Sequence, residues 1–366
     1  MTKFAFMLAW VFSSLVAGAT EPFVIGESLN FQSQVLNETI SYGVALPASY
    51  SWASDRNYPV LFVLDGYKHF AHSTTSVNFL ATQNEIPEMI VVGLSSNNRI
   101  RDFTQSDWPE AWNGGGGASH FIRFLESEFL PLIDRTYRTN NFRVLSGSSA
   151  SGQFVIHLLG SNAKLFQSYF AFAPALDWDN NLPQRELESF LKQRAELPVY
   201  LYIANSNDTG IFLADFQKVI QTLSTNAPRR FRWHAQAFPL ETHTSVPLVA
   251  LIDALRKLYT GYRFQDLHDQ GFEYAEQHFL DVSTMIGTNI PVPEHVINDF
   301  AYISMSEGNI DKAIDLFRQN STKNPNSASA FNHLSEAYTR ANRTEEATKA
   351  LAKALSLKKK NQKANR

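Results

Sequence analysis

The chain has no cysteine among its 366 residues. That removes disulfides, a thiol nucleophile, thiolate metal sites and lipid attachment through sulfur. An excess of one charge is also missing. Lys and Arg number 32 against 35 Asp and Glu, a formal net charge of −3, so no whole-protein attraction to nucleic acid is indicated. The one concentration of charge is the tail, with Lys358, Lys359, Lys360, Lys363 and Arg366, which reads as a solvated helix end. Beyond the first residues no hydrophobic run approaches the ~20 residues of a spanning helix, so no stable membrane span is expected. Metal-ligand spacing is poor as well: His69-x-x-His72 lacks a third ligand.

The opening residues, MTKFAFMLAWVFSSLVAGATEPF, carry an early lysine, an apolar stretch from Phe4 to Val16 and the small-residue site Ala17-Gly18-Ala19. This pattern predicts a secretory signal peptide over 1–19, cleaved after Ala19, and an exported protein, periplasmic or secreted. Without disulfides such a protein relies on its core, and 44% hydrophobic and 13% aromatic residues can build one. Four N-x-S/T sequons begin at Asn37, Asn207, Asn320 and Asn342; they matter only in a host that glycosylates.

Gln32–Leu36 and Thr39–Leu46 alternate as a hairpin would, and continuous apolar runs follow. These are "YPVLFVLDG" (Tyr58–Gly66), "MIVVGL" (Met89–Leu94), "FRVLSG" (Phe142–Gly147), "YFAFAP" (Tyr169–Pro174) and "LPVYLYIAN" (Leu197–Asn205). Runs buried on both faces mark inner strands of a mostly parallel sheet. Helical spacing falls between and after them, over Ala118–Tyr137 and Val246–Tyr259. The fold class is therefore α/β with helices on both faces, over 20–262. No strand pattern follows Tyr262. A helical connector over 263–293 leads to a 34-residue self-similarity, pairing Phe300 with Leu334, Gly308 with Asn342, Ala313 with Ala347 and Phe317 with Leu351. This resembles two tetratricopeptide repeats within 294–361, Val296–Ser327 and Ala328–Asn361, with a basic tail over 362–366. Ser304 and Lys359 depart from that pattern. Two such units cannot bury their own apolar faces, so they are expected to pack on the α/β domain through the helices around Gly271–Met285. They are also a candidate surface for a protein partner or self-association.

The stretch "VLSGSSASGQFVIHLL" (Val144–Leu159) carries four serines between an apolar run and an apolar helical pattern. A strand turning sharply into a helix can hold a nucleophile at its apex when the residues two before and two after are small. Ser149 fits, with Gly147 before and Ser151 after; Ser148, between Ser146 and Ala150, fits less well. A serine hydroxyl needs a base, and the base an orienting acid, in the chain order Ser, acid, His. His243, in "PLETHTSVPLVAL", lies in a loop before the last amphipathic helix, where the base is expected. Asp208 follows the strand ending at Asn205 and is the candidate acid; Glu241, or a Ser–His dyad without a carboxylate, is the alternative. The amides of Ala150 and of Tyr67, in "LDGYKHF", are candidate oxyanion donors. The loop Ser95–Trp108 should line a substrate pocket, with Arg101 and Trp108 as contacts, unless Arg101 merely braces the loop through Asp102.

Together "YPVLFVLDG", "MIVVGLSSNNRIRDFT", "FLESEFLPLIDRTYRT", "RVLSGSSASGQF" and "THTSVPLVALIDALRKLY" resemble the putative-esterase branch of the α/β-hydrolases, over roughly Gln32–Tyr259. That branch includes the esterase D group and the trilactone esterases that open siderophores. The resemblance implies a serine esterase acting on a small-molecule ester without metal or cofactor. It places the nucleophile on Ser149 and the base on His243. Members usually have histidine where Ser148 stands and glycine where Ser151 stands. An acyltransferase on the same scaffold, and a repeat-based binding protein with a vestigial hydrolase domain, are the competing expectations.

Overall fold

The structure, a computed structural model, describes residues 23–111, 113–265 and 270–364. The expected signal peptide, Trp112 and the last two residues of the basic tail lie outside them. An eight-stranded sheet forms the centre, in the order β1-β2-β4-β3-β5-β6-β7-β8. β1 (Glu27–Ser33) and β2 (Glu38–Ala45) form a hairpin, with the second strand where it was expected; the expected first strand, Gln32–Leu36, falls mostly on the turn over 34–37, and β2 runs antiparallel to β4 (Ile90–Leu94). From β4 onward every pairing is parallel: β3 (Tyr58–Leu64), β5 (Thr139–Ser148), β6 (Ser168–Phe172), β7 (Tyr200–Asn205) and β8 (Arg232–Ala237). The sequence explains the order. All residues of β3, β4, β6 and β7 are buried, as strands covered on both faces must be. β1 alternates and β8 has no buried residue, being half-buried up to an exposed Ala237, as suits strands at the two edges.

Helices cover the two faces separately. α1 (Gly66–Thr82) and α8 (Val246–Leu258) share one apolar core. The other face holds α2 (Arg99–Phe103), α3 (Ala118–Phe124), α4 (Leu130–Thr136), α5 (Ala150–Asn162), α6 (Trp178–Lys192) and α7 (Ile211–Asn226). The helix expected over Ala118–Tyr137 is thus divided. A wide turn of π type, Leu125–Phe129, separates α3 from α4 just before Pro131, whose ring cannot continue a regular hydrogen-bond ladder.

Among the described residues after Tyr262 the regular elements are all helices: α9 (Phe272–Ile286), α10 (Glu294–Ser306), α11 (Ile310–Lys323), α12 (Ala328–Arg340) and α13 (Thr344–Ala364). α12 begins 34 residues after α10, and α13 begins 34 after α11. Gly308 and Asn342, the matching turn residues, both take positive φ, 83° and 58°. α9 buries Phe272, Ala275, Phe279, Val282 and Ile286 in the same core as α1, α8 and the inner helix faces. Full burial of a phenylalanine is worth about 1.5–3 kcal/mol, so α9 ties the helical region to the sheet domain. Polar contacts add to it: Arg56 Nη2 donates to Asn324 Oδ1 at 2.6 Å, and Asn326 Nδ2 to Asp55 Oδ1 at 2.7 Å. The chain is an α/β protein of the α/β-hydrolase type, with helices on both faces of the sheet, followed by an all-α region.

β3 and β5 are neighbours, yet α1 leaves β3 toward one face and α5 leaves β5 toward the other. Such a divergence opens a crevice at the carboxyl edge of a parallel sheet.

Candidate active site

Ser149 sits in that crevice between β5 and α5, at φ 60° and ψ −119°. Positive φ in a residue other than glycine costs on the order of 1–3 kcal/mol and persists only where the surroundings impose it. Here they do. Ser149 N–H donates to Phe172 O at 3.0 Å, and its carbonyl accepts from Gln153 N–H at 2.9 Å and Ala175 N–H at 3.1 Å. Ser146, Ser148 and Ser151 are buried, whereas Ser149 is only half-buried.

The crowding that shapes this turn falls on Gly147 and Gly152. A Cβ at Gly147 would overlap the carbonyl of Ser151, and one at Gly152 would press on Phe172 O at 3.1 Å and Gly147 O at 3.2 Å. Position 151, two residues past the apex, therefore has room for a side chain. Ser151 Oγ turns away to donate to Asp65 Oδ2 at 2.7 Å and accepts from Ser148 N–H at 2.8 Å.

Asp65 is buried at the end of β3, with φ 55°. Its carboxylate takes a bidentate pair from Arg99, Nε at 2.6 Å and Nη2 at 2.9 Å. Asp65 also caps α1: its carbonyl accepts from the amides of Lys68 and His69 at 2.8 and 3.1 Å. A Cβ at Gly66 would overlap the backbone of Gly93, so this turn must be glycine. Tyr67 is the second residue of α1 and Ala150 the first of α5. The amides of a helix's first turn have no acceptor within the helix, so both are free to bind an anion where a helix dipole favours one.

His243 lies in the loop between β8 and α8, and its Nδ1 is 3.0 Å from Asp208 Oδ2. Donation from Nδ1 fixes the tautomer and leaves Nε2 as the acceptor. Asp208 also accepts from Ser206 Oγ at 2.6 Å. Burial opposes ionisation of Asp208, but the hydrogen bonds from Ser206 and His243 outweigh it and hold the carboxyl below its usual range. Glu241 faces elsewhere, accepting from Ser245 Oγ at 2.7 Å. Among the described residues no hydrogen bond joins His243 to Ser149; both follow the carboxyl ends of parallel strands, β8 and β5.

The expected pocket residues are placed as follows. Arg101 binds Glu38 through both terminal nitrogens and Asp102 Oδ1 through Nε at 2.7 Å, the bracing arrangement. Trp108 packs edge-on against the buried Trp178, with ring centroids 5.5 Å apart. Trp178 opens α6, whose next three residues, Asp179, Asn180 and Asn181, are all left-handed. His69 and His72 touch each other, Nδ1 to Nε2 at 2.9 Å, and burial lowers the His69 pKa to about 4. Among the described residues no group of three or more His, Cys, Asp or Glu could hold a metal ion.

The Asp65–Arg99–Ser151 cluster was not legible in the sequence. "LDG" marked a turn, Arg99 a loop and Ser151 a departure from a pattern, and nothing local links the three.

The profile of the Putative esterase family matches residues 33–244, a span that holds Ser149, Asp208 and His243. The chain belongs to this family. Ferri-bacillibactin esterase BesA of Bacillus subtilis (strain 168) is 27% identical over 246 residues, covering 60% of this chain and 85% of that protein. Among solved structures, an IroE-like serine hydrolase from Shewanella oneidensis superposes with a TM-score of 0.72 at 24% identity. It covers 81% of this chain and 99% of its own, more than the sheet domain alone can supply, so the likeness extends into the helical region. The BES protein of Bacillus cereus follows at a TM-score of 0.58 and 22% identity, covering 66% of this chain and 98% of its own. The Putative esterase family member described here is a carboxylic ester hydrolase.

Proposed function

We propose that this family member is an exported serine esterase whose triad is Ser149, His243 and Asp208. The observation that carries the reading is the His243–Asp208 hydrogen bond at 3.0 Å, at the same sheet edge as the strained Ser149. His243 Nε2 takes the Ser149 proton as Oγ attacks the ester carbonyl. The developing oxyanion is held by the amides of Ala150 and Tyr67. His243 then protonates the leaving alcohol, water attacks the acyl-enzyme with His243 again as base, and the acid leaves with Ser149 restored. Asp208 orients the imidazole and stabilises its charged form. Substrates of the siderophore type are supported by the likeness to a protein named for ferri-bacillibactin.

The helical pairs of α10–α13, 34 residues apart, support a reading as two tetratricopeptide-like units offering a surface to a protein partner or a second copy. Export rests on the pattern of residues 1–19.

The test is turnover of a panel of esters by the full mature chain, with and without acceptor alcohols. Wild type should release acid whether or not an alcohol is present, and Ser149→Ala and His243→Ala should not. Product found only as a new ester would assign acyl transfer instead, and undiminished turnover by Ser149→Ala would refute the triad.

A further inference from the structure

The 34-residue offset makes α11 and α13 equivalent helices of successive units. In α11 the stripe Ile310, Ile314, Phe317, Ser321 is covered: Ile310 is half-buried, and Ile314, Phe317 and Ser321 are only 1%, 0% and 6% exposed. Part of the cover is the next helix, α12. The Phe317 ring lies 5.9 Å from that of His333, and Arg318 Nη2 donates to the Tyr338 hydroxyl at 3.4 Å. The same stripe of α13 reads Thr344, Thr348, Leu351, Leu355. All four are exposed, Leu351 by 42% and Leu355 by 52%. α13 has a separate inward stripe, Ala347, Ala350, Ala354 and Leu357, which is buried. The end helix of a stacked array needs a polar outer face, because no further unit packs on it. α13 instead turns two leucines one turn apart to solvent, at the positions where α11 receives its neighbour.

The stripe runs on to Lys358 and Gln362, its members recurring at spacings of four and three. That is the a/d seam of a paired helix, and Glu345, Ala352 and Lys359 follow one another every seven residues along its open flank. The flank charges decide how a second α13 can lie. Parallel pairing sets Glu345 against Glu345 and Lys359 against Lys359. Antiparallel pairing about a two-fold axis sets Leu351 against Leu355, Ala352 against Ala352, and Glu345 against Lys359 at both ends. The leucine register and the charge register agree to within one residue. Glu345 also pairs with Lys349 of its own helix at 2.5 Å. Both of those side chains are well exposed, so the bond is weak and a second cation can join it.

Resting on the repeat reading above, we propose that the open face of α13 binds the α13 of a second copy, antiparallel and two-fold symmetric. Each copy then supplies the helix that the other's stack lacks. A seam with two leucines from each copy belongs to the small, transient class of interfaces, so the dimer forms and dissociates with concentration.

Sedimentation equilibrium of the protein between roughly 1 μM and 1 mM reads the association directly. Wild type should pass from monomer to dimer in that range. Leu351→Ser/Leu355→Ser should weaken association by roughly 10-fold or more, because it removes the large apolar side chains of the seam. Glu345→Lys and Lys359→Glu should each weaken it several-fold, and the variant carrying both should recover wild-type association. Far-UV circular dichroism, melting at low concentration and ester turnover should match wild type in all of these, since the altered side chains are exposed in the monomer. A wild type that is monomeric at every concentration, a dimer indifferent to the leucine variant, or charge reversals without effect would each overturn the proposal. Phe317→Ser keeps the repeat reading separate: loss of that buried ring should lower the melting temperature sharply, and Leu351→Ser should not. Should both leave it unchanged, the repeat reading fails; should Phe317→Ser alone destabilise and no dimer form, the repeats stand and the docking fails.

Discussion

Replacing Ser151 by alanine removes one oxygen from the buried junction between the nucleophile turn and the loop after β3. That oxygen donates to Asp65 at 2.7 Å and accepts from the Ser148 amide at 2.8 Å. Ser148 and Ser151 are both buried, so water cannot replace the lost partner. A buried amide left unpaired costs roughly 1–3 kcal/mol, and a hydrogen bond to a charged group is worth about 1.5–3 kcal/mol. Arg99 still pairs with Asp65, so the carboxylate is not stranded and the two losses do not add fully. The expected destabilisation is about 2–3 kcal/mol, which in a domain of this size lowers Tm by roughly 5–10 °C. The same bond fixes the distance between Ala150 and the Gly66–Tyr67 turn, so kcat should fall about 10-fold with KM little changed, the signature of geometry lost at the transition state. Calorimetry and steady-state kinetics on Ser151→Ala, Asp65→Asn and the double variant provide the assay. Ser151→Ala should cost much less in the Asp65→Asn background than in wild type. Unchanged Tm and kcat, or strictly additive losses, would refute the reasoning.

Other substitutions separate the remaining roles. Asp208→Asn should lower turnover by about 10⁴-fold, as expected when a triad acid can no longer hold the right tautomer, whereas Glu241→Gln should leave it within a few-fold, because Glu241 binds Ser245. Arg99→Ala strands the buried Asp65 charge and should destabilise by about 3 kcal/mol or more, seen as a drop in urea midpoint larger than that of Arg101→Ala. Acidification should also weaken the fold. His69 is held at about 4, below its ordinary 6.5, by burial first and then by the charges of His72, Lys68 and Arg99 against Asp65. The unfolded chain therefore binds the extra proton first, and the stability contributed by neutral His69 is present above pH 6.5 and lost as pH falls toward 4. Melting curves across that window should flatten in His69→Gln. Asp208 has the carboxylate sign: its contribution is present above 3.8 and lost as pH falls through its lower folded value.

The parts of the fold written in local pattern were readable in the sequence. β3, β4, β6 and β7 are largely continuous apolar runs because both faces are covered, and the turn at Ser149 is announced by small residues between a strand and a helix. The 34-residue offset showed in Gly308 and Asn342 because a left-handed turn restricts residue type. Elements without such a signature were hidden. β8 is an edge strand, RWHAQA, half-buried and without an apolar run. α6 begins with three left-handed residues and contains Pro183, so no helical period survives there. The candidates Ser149, Asp208 and His243 were nameable from order along the chain, but the partners of Asp65 come from β4's loop and from α5. Only folding brings those together. The crowding at Gly147, two residues before the apex, fits the small-residue pattern, and Gly152, three past it, is crowded as well.

The most direct test of the account is active-site labelling. The protein is treated with a fluorophosphonate and the modified peptide sequenced by mass spectrometry. The account predicts a single adduct on Ser149, strongly slowed in His243→Ala and absent in Ser149→Ala. An adduct on Ser148 or Ser151, or undiminished labelling of Ser149→Ala, would contradict it.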